Sequence, residues 1–232
     1  MSSEPQPMAG DIWDHTAIDA ESRLLISLVP GKRTSENCEK LVEDVKRRTG
    51  HREDMFFTSD EHAPYVKAIE KSYGVPIQPE RKPGPGRPPN PRLEVPATLC
   101  YATVKKTRKN GRVVKVQTTL VFGKWVLLTL YLLASLVSST INTSFVERNN
   151  GTERGMNSRK RRKTLGFSKD LQMHNAVSYF IGFSYNFCWP VRTLSLRLKE
   201  NGIIHRTPAM VAGLTDHIWT LEEWCTFPVP IS

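Results

Sequence analysis

Seven prolines between Pro79 and Pro96 constrain the fold of this 232-residue chain more than any other feature. Proline lacks a backbone N–H and fixes its own φ angle, so such a segment is unsuited to a helix or a central strand. We predict an extended linker or insertion here. The fold must be built from the flanking segments, and with 39% hydrophobic residues the chain is long enough for one large domain or two small ones.

Before the prolines, the pattern predicts strand, strand, helix, strand, helix. "DIWDHTAID" and "RLLISLVPG" indicate two adjacent strands joined by a turn over residues 19–23. "TSENCEKLVEDVKRRTG" predicts a helix, because its apolar residues have helical spacing, Thr34 or Ser35 can cap it and Gly50 lies past its end.

An acidic residue marks the end of the next predicted strand, Met55 to Thr58. Ser59 and Asp60 follow this strand, and a helix that ends at Gly74 comes next. Because α/β folds place active-site groups at the carboxyl ends of strands, Asp60 is a candidate site residue. The alternative is that Asp60 only caps the helix.

After the prolines, "TLCYATVKKTRKNGRVVKVQTTLVFG" predicts a β-hairpin that turns at Asn110-Gly111. Cations crowd its tip: Lys105, Lys106, Arg108, Lys109, Arg112 and Lys115. Two interpretations stay open, a solvated edge protected by charge and a ribbon that lies along a phosphate backbone.

The apolar run "WVLLTLYLLASLV", residues 125–137, has three interpretations. Thirteen residues are too few for a membrane span, which needs about 20. A buried helix is the plain interpretation, and a local corruption of the reading frame is the third.

The remaining chain predicts mainly helices. One begins near Asn142 or Thr143, and "FSKDLQMHNAVSYFIGFSYNF" is a second, capped by Ser168. Asn201-Gly202 predicts another hairpin turn. "TPAMVAG" and "TLEEWCTF" predict short terminal helices.

The net charge of +10 is concentrated in the middle of the chain. Residues 80–170 contain 19 Lys and Arg against 5 Asp and Glu, whereas residues 1–79 contain 10 against 14 and residues 171–232 contain 4 against 4. Such an excess repels itself unless an acidic partner is bound, which favours nucleic acid over a merely solvated face.

The four cysteines are scattered and form no CxxC pair. This spacing argues against a zinc ribbon and a disulfide framework, and it favours a reducing, cytosolic setting. The amino terminus lacks a basic region followed by an apolar run, so no signal peptide is expected.

Several segments in order resemble a family. They are "WDHTAIDAESRLLISLVPGKRT", "TSDEHAPYVKAIEKSYG", "INTSFVERNNGTERGMNSRKRRKTLGFSKD", "FSYNFCWPVRTL" and "RTPAMVAGLTDHIWTLEEW". Together they resemble a DDE transposase of a bacterial insertion sequence, of the group typified by insertion sequence one. The resemblance covers nearly everything from Gly10 to Trp224.

The resemblance implies an α/β, RNase H-like catalytic domain, a mixed sheet flanked by helices. It implies Asp19, Asp60 and Glu147 as catalytic residues that bind Mg²⁺ or Mn²⁺, since carboxylates are the ligands such ions prefer. Two such ions would activate a water or 3′-hydroxyl for phosphodiester displacement. The implied DNA-binding residues are Arg148, Arg154, Arg159, Lys160, Arg161, Arg162 and Lys163.

Other polar and aromatic residues receive structural interpretations. His174 and Asn175 lie on the next predicted helix and could reach the site, but a histidine on a helix face is more often structural. Trp189, Trp219 and Trp224 are interpreted as packing residues and not as platforms for stacked bases.

The chain differs from the family in three places. It is expected to lack the DNA-binding module that precedes the catalytic domain in relatives, and the proline-rich insertion separates Asp60 from Glu147 by 87 positions. An apolar run also replaces the polar connection that precedes "INTSFVER".

The predicted function is metal-dependent DNA strand cleavage and transfer at insertion-sequence ends, by an active or an inactive, truncated copy. The alternatives are a non-catalytic DNA-binding remnant and a short membrane-associated basic protein. The expected partners are transposon-end and target DNA and, when active, further copies of the chain, with no membrane and a cytoplasmic, nucleoid-associated location. The predicted segments are a disordered terminus (1–10), the first catalytic part (11–78), the proline-rich insertion (79–97), the basic hairpin (98–123), the helical remainder of the catalytic domain (124–190) and a terminal hairpin with short helices (191–232).

Overall fold

A computed structural model describes residues 12–79, 89–161, 168–198 and 202–228. The fold is mixed α/β, with a mixed sheet and several helices, which confirms the predicted α/β class. The chain divides into two compact units. The first unit combines Met1–Arg33 with Phe145–Ser232, and the second unit is Thr34–Ser144.

The elements follow the predicted order, apart from two additional short strands next to and inside the proline-rich segment. They are β1 (Trp13–Ile18), β2 (Leu25–Gly31), α1 (Ser35–Arg48), β3 (Phe56–Asp60), α2 (Pro64–Tyr73), β4 (Val75–Ile77), β5 (Arg92–Glu94), β6 (Cys100–Lys109), β7 (Arg112–Phe122), α3 (Trp125–Ala134), α4 (Ser144–Met156), α5 (Leu171–Cys188), β8 (Leu196–Arg197), β9 (Ile203–Ile204), α6 (Pro208–Val211) and α7 (Leu221–Thr226), with 3-10 turns at Ser158–Lys160 and Arg192–Leu194.

In the first unit, β1 and β2 form an antiparallel hairpin, as predicted. Helix α5 packs on β2 because Gly182 leaves room for Leu25 and Leu28: a Cβ at Gly182 would lie 2.8 Å from a methyl carbon of Leu25. Asn186 of α5 completes the contact. Its amide accepts a hydrogen bond from the Leu25 backbone N–H (2.8 Å) and donates one to the Leu25 carbonyl (2.9 Å).

An aromatic cluster holds the carboxyl-terminal part of the first unit. The rings of Trp219 and Phe187 lie 4.7 Å apart, and those of Trp219 and Phe227 lie 4.8 Å apart. Trp224 lies 5.4 Å from Phe187. The interpretation of Trp219 and Trp224 as packing residues is confirmed, whereas Trp189 is 44% exposed.

In the second unit, β3, β6 and β7 form a mixed sheet in that order, with β3 parallel to β6 and β6 antiparallel to β7. Helices α1 and α2 contribute to its hydrophobic core. The core residues are Cys38, Val42, Ala68, Ile69, Tyr73, Leu99 and Tyr101. Thr34 caps α1 by accepting a hydrogen bond from the Asn37 backbone N–H, as predicted.

Two short strands lie next to and inside the proline-rich segment. β4 lies just before the predicted insertion over residues 79–97 and pairs antiparallel with β5, which lies inside it, so a short part of the insertion is a strand. Both strands are largely exposed. Residues 80–88 of this prediction lie outside the described residues.

The β6–β7 hairpin turns at the predicted dipeptide. Asn110 has φ 51° and Gly111 has φ 77°, the left-handed conformations that a two-residue hairpin turn requires. The second predicted hairpin is present as the β8–β9 pair. Asn201 of its predicted turn lies outside the described residues.

The apolar run forms α3, but the prediction that this helix is buried is wrong. Leu128 is 1% exposed, whereas Val126 is 74% and Leu133 78% exposed. The run is apolar on every side, but only one side of the helix is packed, so its other apolar side chains remain exposed. Tyr131 belongs to that packed side, because its ring stacks on Phe56 and its hydroxyl donates to the Thr98 carbonyl at 2.9 Å. In the described ranges, no helix has the length and apolar character that crossing a bilayer requires.

The predicted cap of α5 is also wrong. Asp170 caps the helix by accepting a hydrogen bond from the Met173 backbone N–H at 2.9 Å. The Ser168 hydroxyl instead donates to the Asp170 carbonyl at 3.2 Å. A carboxylate two residues further along the chain therefore replaces the predicted hydroxyl.

Candidate functional site

Asp60 ends β3 at the carboxyl edge of the parallel pair β3–β6, where it lies opposite Val104. Its side chain is exposed. The alternative that Asp60 caps the following helix is wrong, because α2 begins after Ala63 and has no side-chain cap. Its position at the edge of a sheet is therefore not explained by helix capping.

Asp19 lies in the turn between β1 and β2. One oxygen of its carboxylate, Oδ2, accepts hydrogen bonds from the Ser22 backbone N–H (2.8 Å) and the Ser22 hydroxyl (2.5 Å). Its backbone N–H donates to the Leu24 carbonyl, and its carbonyl accepts from the Arg23 N–H. The residue therefore stabilises the turn, and one of its potential metal-ligating oxygens is already engaged.

Glu147 lies in the first turn of α4 and is exposed. The same helix buries Asn149 and Glu153, which are one turn apart. Side chains at this spacing share a face. The buried face of α4 is thus a polar one, and Glu147 lies outside it.

The predicted metal ligands have suitable chemistry but are not gathered in either unit. Asp19 and Glu147 belong to the first unit and Asp60 to the second, so neither unit by itself contains all three. Within the described residues, no three His, Cys, Asp or Glu side chains are grouped as a metal site requires. We therefore derive no reaction step through a metal ion.

The predicted DNA-binding cations have different environments. Arg148 and Arg161 are exposed, Arg154 is half-buried, and the Arg159 guanidinium donates to the Ser168 hydroxyl at 3.5 Å. The predicted residues Arg162 and Lys163 lie outside the described residues.

Lys160 is directed inward and not toward a ligand. Its ammonium lies 2.5 Å from Asp14 Oδ2 and 2.5 Å from Glu153 Oε2, and its side chain is only 10% exposed. A buried charge needs such partners, since removing it from water is costly. We therefore leave Lys160 out of the proposed DNA-binding surface.

Asp14, the centre of this buried network, is not among the site residues that the sequence predicts. His174 Nε2 lies 2.9 Å from Asp14 Oδ1, and the Ser178 hydroxyl donates to Asp14 Oδ2 at 3.2 Å. Asn149 donates to Glu153 Oε1 at 3.1 Å. The network joins β1, α4, the 3-10 turn and α5, and it gives His174 the structural role that its helix position indicated.

The environment of Asp14 favours its charged form. Burial alone raises the pKa of its carboxyl, but the hydrogen bond to His174 and the positive charge of Lys160 outweigh burial and lower the pKa below its usual value. The available signal was a carboxylate inside a predicted strand, since such a group needs a partner when the strand is covered.

The basic hairpin lies in the same sheet as Asp60. Glu61, the next residue, forms a 2.8 Å ion pair with Lys105 of β6. Beyond Lys105, both hairpin strands are mostly exposed. A carboxylate at the end of β3 and a cationic two-stranded ribbon therefore lie at one edge of the second unit.

Comparisons with known proteins give no relative on which to base a function. No family model, no curated protein and no solved structure matches this chain. A functional conclusion must therefore come from the sequence motifs and from the geometry of each unit.

Proposed function

We propose that the chain is the catalytic domain of a DDE-type transposase, with an RNase H-like fold, and that it cleaves and transfers DNA strands at insertion-sequence ends. The main structural support is that Asp60 and the basic ribbon are adjacent in one sheet. The carboxyl end of a strand is where α/β folds bind ligands, and a cationic surface beside it attracts the phosphates of a nucleic acid.

The order of the sequence motifs supports the same proposal. Asp19, Asp60 and Glu147 occur in the family-like segments, and Glu147 lies within residues 80–170, which carry the excess of positive charge. In this proposal Mg²⁺ or Mn²⁺ is the cofactor, DNA is the substrate, further copies of the chain assemble on it, and the protein acts in the cytoplasm at the nucleoid.

The direct test is nicking of a supercoiled plasmid that carries the DNA flanking the gene. Purified protein with Mn²⁺ is expected to convert supercoiled to nicked plasmid, and the chelator EDTA is expected to stop the reaction. Asp60→Asn removes a ligand charge and should abolish nicking.

Asp54→Asn is the matched control, since Asp54 is an exposed carboxylate of the same unit that pairs with Arg52. This variant should nick like the original protein. If neither protein nicks, or if Asp60→Asn nicks as well as the control, the catalytic proposal is wrong.

A non-catalytic DNA-binding remnant is the second candidate. The observation that favours it is the engagement of Asp19 Oδ2 by two hydrogen bonds from Ser22. DNA binding without nicking would support this candidate. Ser22→Ala separates the two further, because a gain of nicking in that variant would show that Ser22 restrains a functional carboxylate.

A further inference from the structure

The distal β6–β7 hairpin separates its side chains into two different faces. Directly opposed residues of an antiparallel pair point to the same face, and successive residues alternate. Lys105 lies opposite Gln117, Thr107 opposite Lys115 and Lys109 opposite Arg112. These six residues form one face, which we call the cationic face, with four positive charges and no apolar side chain.

The other face is mixed. Lys106 lies opposite Val116 and Arg108 opposite Val113, with a register shift between Thr107 and Arg108. Val113 and Val116 are 45% and 53% exposed. The hairpin therefore has two cations with valines on one face and four cations with polar residues on the other.

Edge protection accounts for charge on the hairpin, but it does not require the cations to be concentrated on one face. Charged side chains, and Lys in particular, keep an exposed strand edge from pairing with another chain. Residues 105–117 contain no acidic residue, although Lys105 pairs with Glu61 outside the ribbon. Lys109 and Arg112 are directly opposed, an arrangement that destabilises a hairpin by itself. Among the described residues, neither Lys109 nor Arg112 forms an ion pair, so a bound anion would relieve their repulsion.

The shape of the hairpin fits duplex DNA. From Arg112 to Gln117 every residue of β7 is exposed, and the opposing residues 105–109 of β6 are exposed except for Lys106, which is half-buried. The major groove of B-DNA is about 12 Å wide and admits a two-stranded β-ribbon, whereas the major groove of duplex RNA is deep and narrow.

We propose that residues 105–117 form a DNA-binding arm that enters the major groove with its cationic face against the phosphates. The choice of DNA as partner rests on the proposed function, but binding through the arm requires no catalysis. The arm is a DNA-binding site in addition to the predicted DNA-binding cations near α4. It contacts phosphates and does not read bases.

The test compares two double variants that each remove two positive charges from the ribbon. Lys109→Gln with Arg112→Gln changes the cationic face, and Lys106→Gln with Arg108→Gln changes the mixed face. Binding to a labelled duplex is measured by fluorescence anisotropy in EDTA over a range of salt concentrations. Circular dichroism checks that both variants are folded.

The cationic-face variant should bind more weakly and lose about 1.8 from the slope of log K against log salt, about 0.9 for each lost phosphate contact. The mixed-face variant should keep its slope. Equal changes in both variants would contradict a face-specific arm, because they would show that only the net charge of the ribbon matters. No change in either variant would also overturn the proposal. Tighter binding to duplex RNA or to phosphatidylserine vesicles than to duplex DNA would overturn it as well.

This result is separable from the nicking test. EDTA prevents metal-dependent cleavage, so the binding assay does not depend on catalysis. Face-specific binding in that assay, together with no nicking in the plasmid assay with Mn²⁺, would support the arm and contradict the catalytic proposal. Nicking by a cationic-face variant that binds with the original slope would contradict the arm and leave catalysis standing.

Discussion

Asp14 and Lys160 show how single residues link distant parts of the first unit. The two residues are 146 positions apart, yet their charged atoms lie 2.5 Å apart in a setting where each side chain is 10% exposed. A buried ion pair adds little when compared with apolar packing, but removing one partner leaves the other charge uncompensated. The first unit therefore depends on all members of this network being present in their charged or hydrogen-bonded forms.

Acid should weaken the first unit through Asp14. The folded pKa of this carboxyl is lowered, so its contribution to stability is complete above the unfolded pKa of about 3.9 and is lost as pH falls through the folded value. Asp14→Asn removes this contribution and should cost about 3 kcal/mol near neutral pH. The free energy of unfolding is measured by urea titration at a series of pH values.

The difference in stability between the original protein and Asp14→Asn should shrink below the unfolded pKa. Glu43→Gln, which removes an exposed carboxylate from α1, serves as control and should change stability little. A difference that stays constant down to low pH would show that Asp14 stabilises the unit by some means other than its charge.

At the scale of elements, α3 combines one packed side with an exposed apolar surface. Leu128→Ala should cost about 2–5 kcal/mol, because it leaves a cavity at a position that is 1% exposed. Leu133→Ala, in the same helix and 78% exposed, should change stability by less than about 0.5 kcal/mol. Thermal or urea unfolding of the two variants checks this contrast, and equal losses would show that the outer side of α3 is covered in solution.

Local signals explain which elements the sequence predicts well. Asn110-Gly111 adopts the conformations that its hairpin turn needs, and Gly50 has φ 65° just beyond α1. These preferences depend on neighbouring residues alone. Asp60 at the end of β3 was also predictable, since a strand followed by a helix places that residue at the sheet edge.

Non-local packing explains what the sequence does not predict. The exposure of α3 depends on which of its apolar side chains pack against other elements. A buried helix and an exposed helix could have this same composition, so the sequence does not distinguish them. The partners of Asp14 lie 146 to 164 positions away, so no spacing in the sequence indicates them. The two faces of the ribbon required the register of β6 and β7, including its shift after Thr107.

On the scale of the whole molecule, the acidic and basic regions of the sequence do not coincide with the two structural units. The acidic excess of residues 1–79 and the basic excess of residues 80–170 each extend over parts of both units. Within the second unit, α1, β3 and α2 together carry six acidic and six basic residues, whereas residues 105–117 of the ribbon carry six cations and no acidic residue. Orientation of the ribbon toward a polyanion is thereby favoured over orientation of these electrically balanced elements.

The four free cysteines provide a readout of folding for both units. Cys38 and Cys100 are 0% exposed and belong to the second unit, whereas Cys225 is exposed and Cys188 half-buried in the first. Burial also raises the pKa of the Cys100 and Cys188 thiols, which lowers the fraction of reactive thiolate. With a maleimide reagent, Cys225 should react first, Cys188 next, and the two buried thiols only when the second unit opens.

Mass spectrometry of proteolytic fragments assigns each reaction to its cysteine. Cys225→Ser should remove the fastest phase and leave the slow one unchanged. Because Cys38 and Cys100 pack in the same unit, denaturant should expose both over the same concentration range, and Leu128→Ala should shift that range downward by weakening the same unit. Labelling of Cys38 at the rate of Cys225 in native protein would contradict the packing of α1 against the sheet, since Cys38 is reached only when that contact opens.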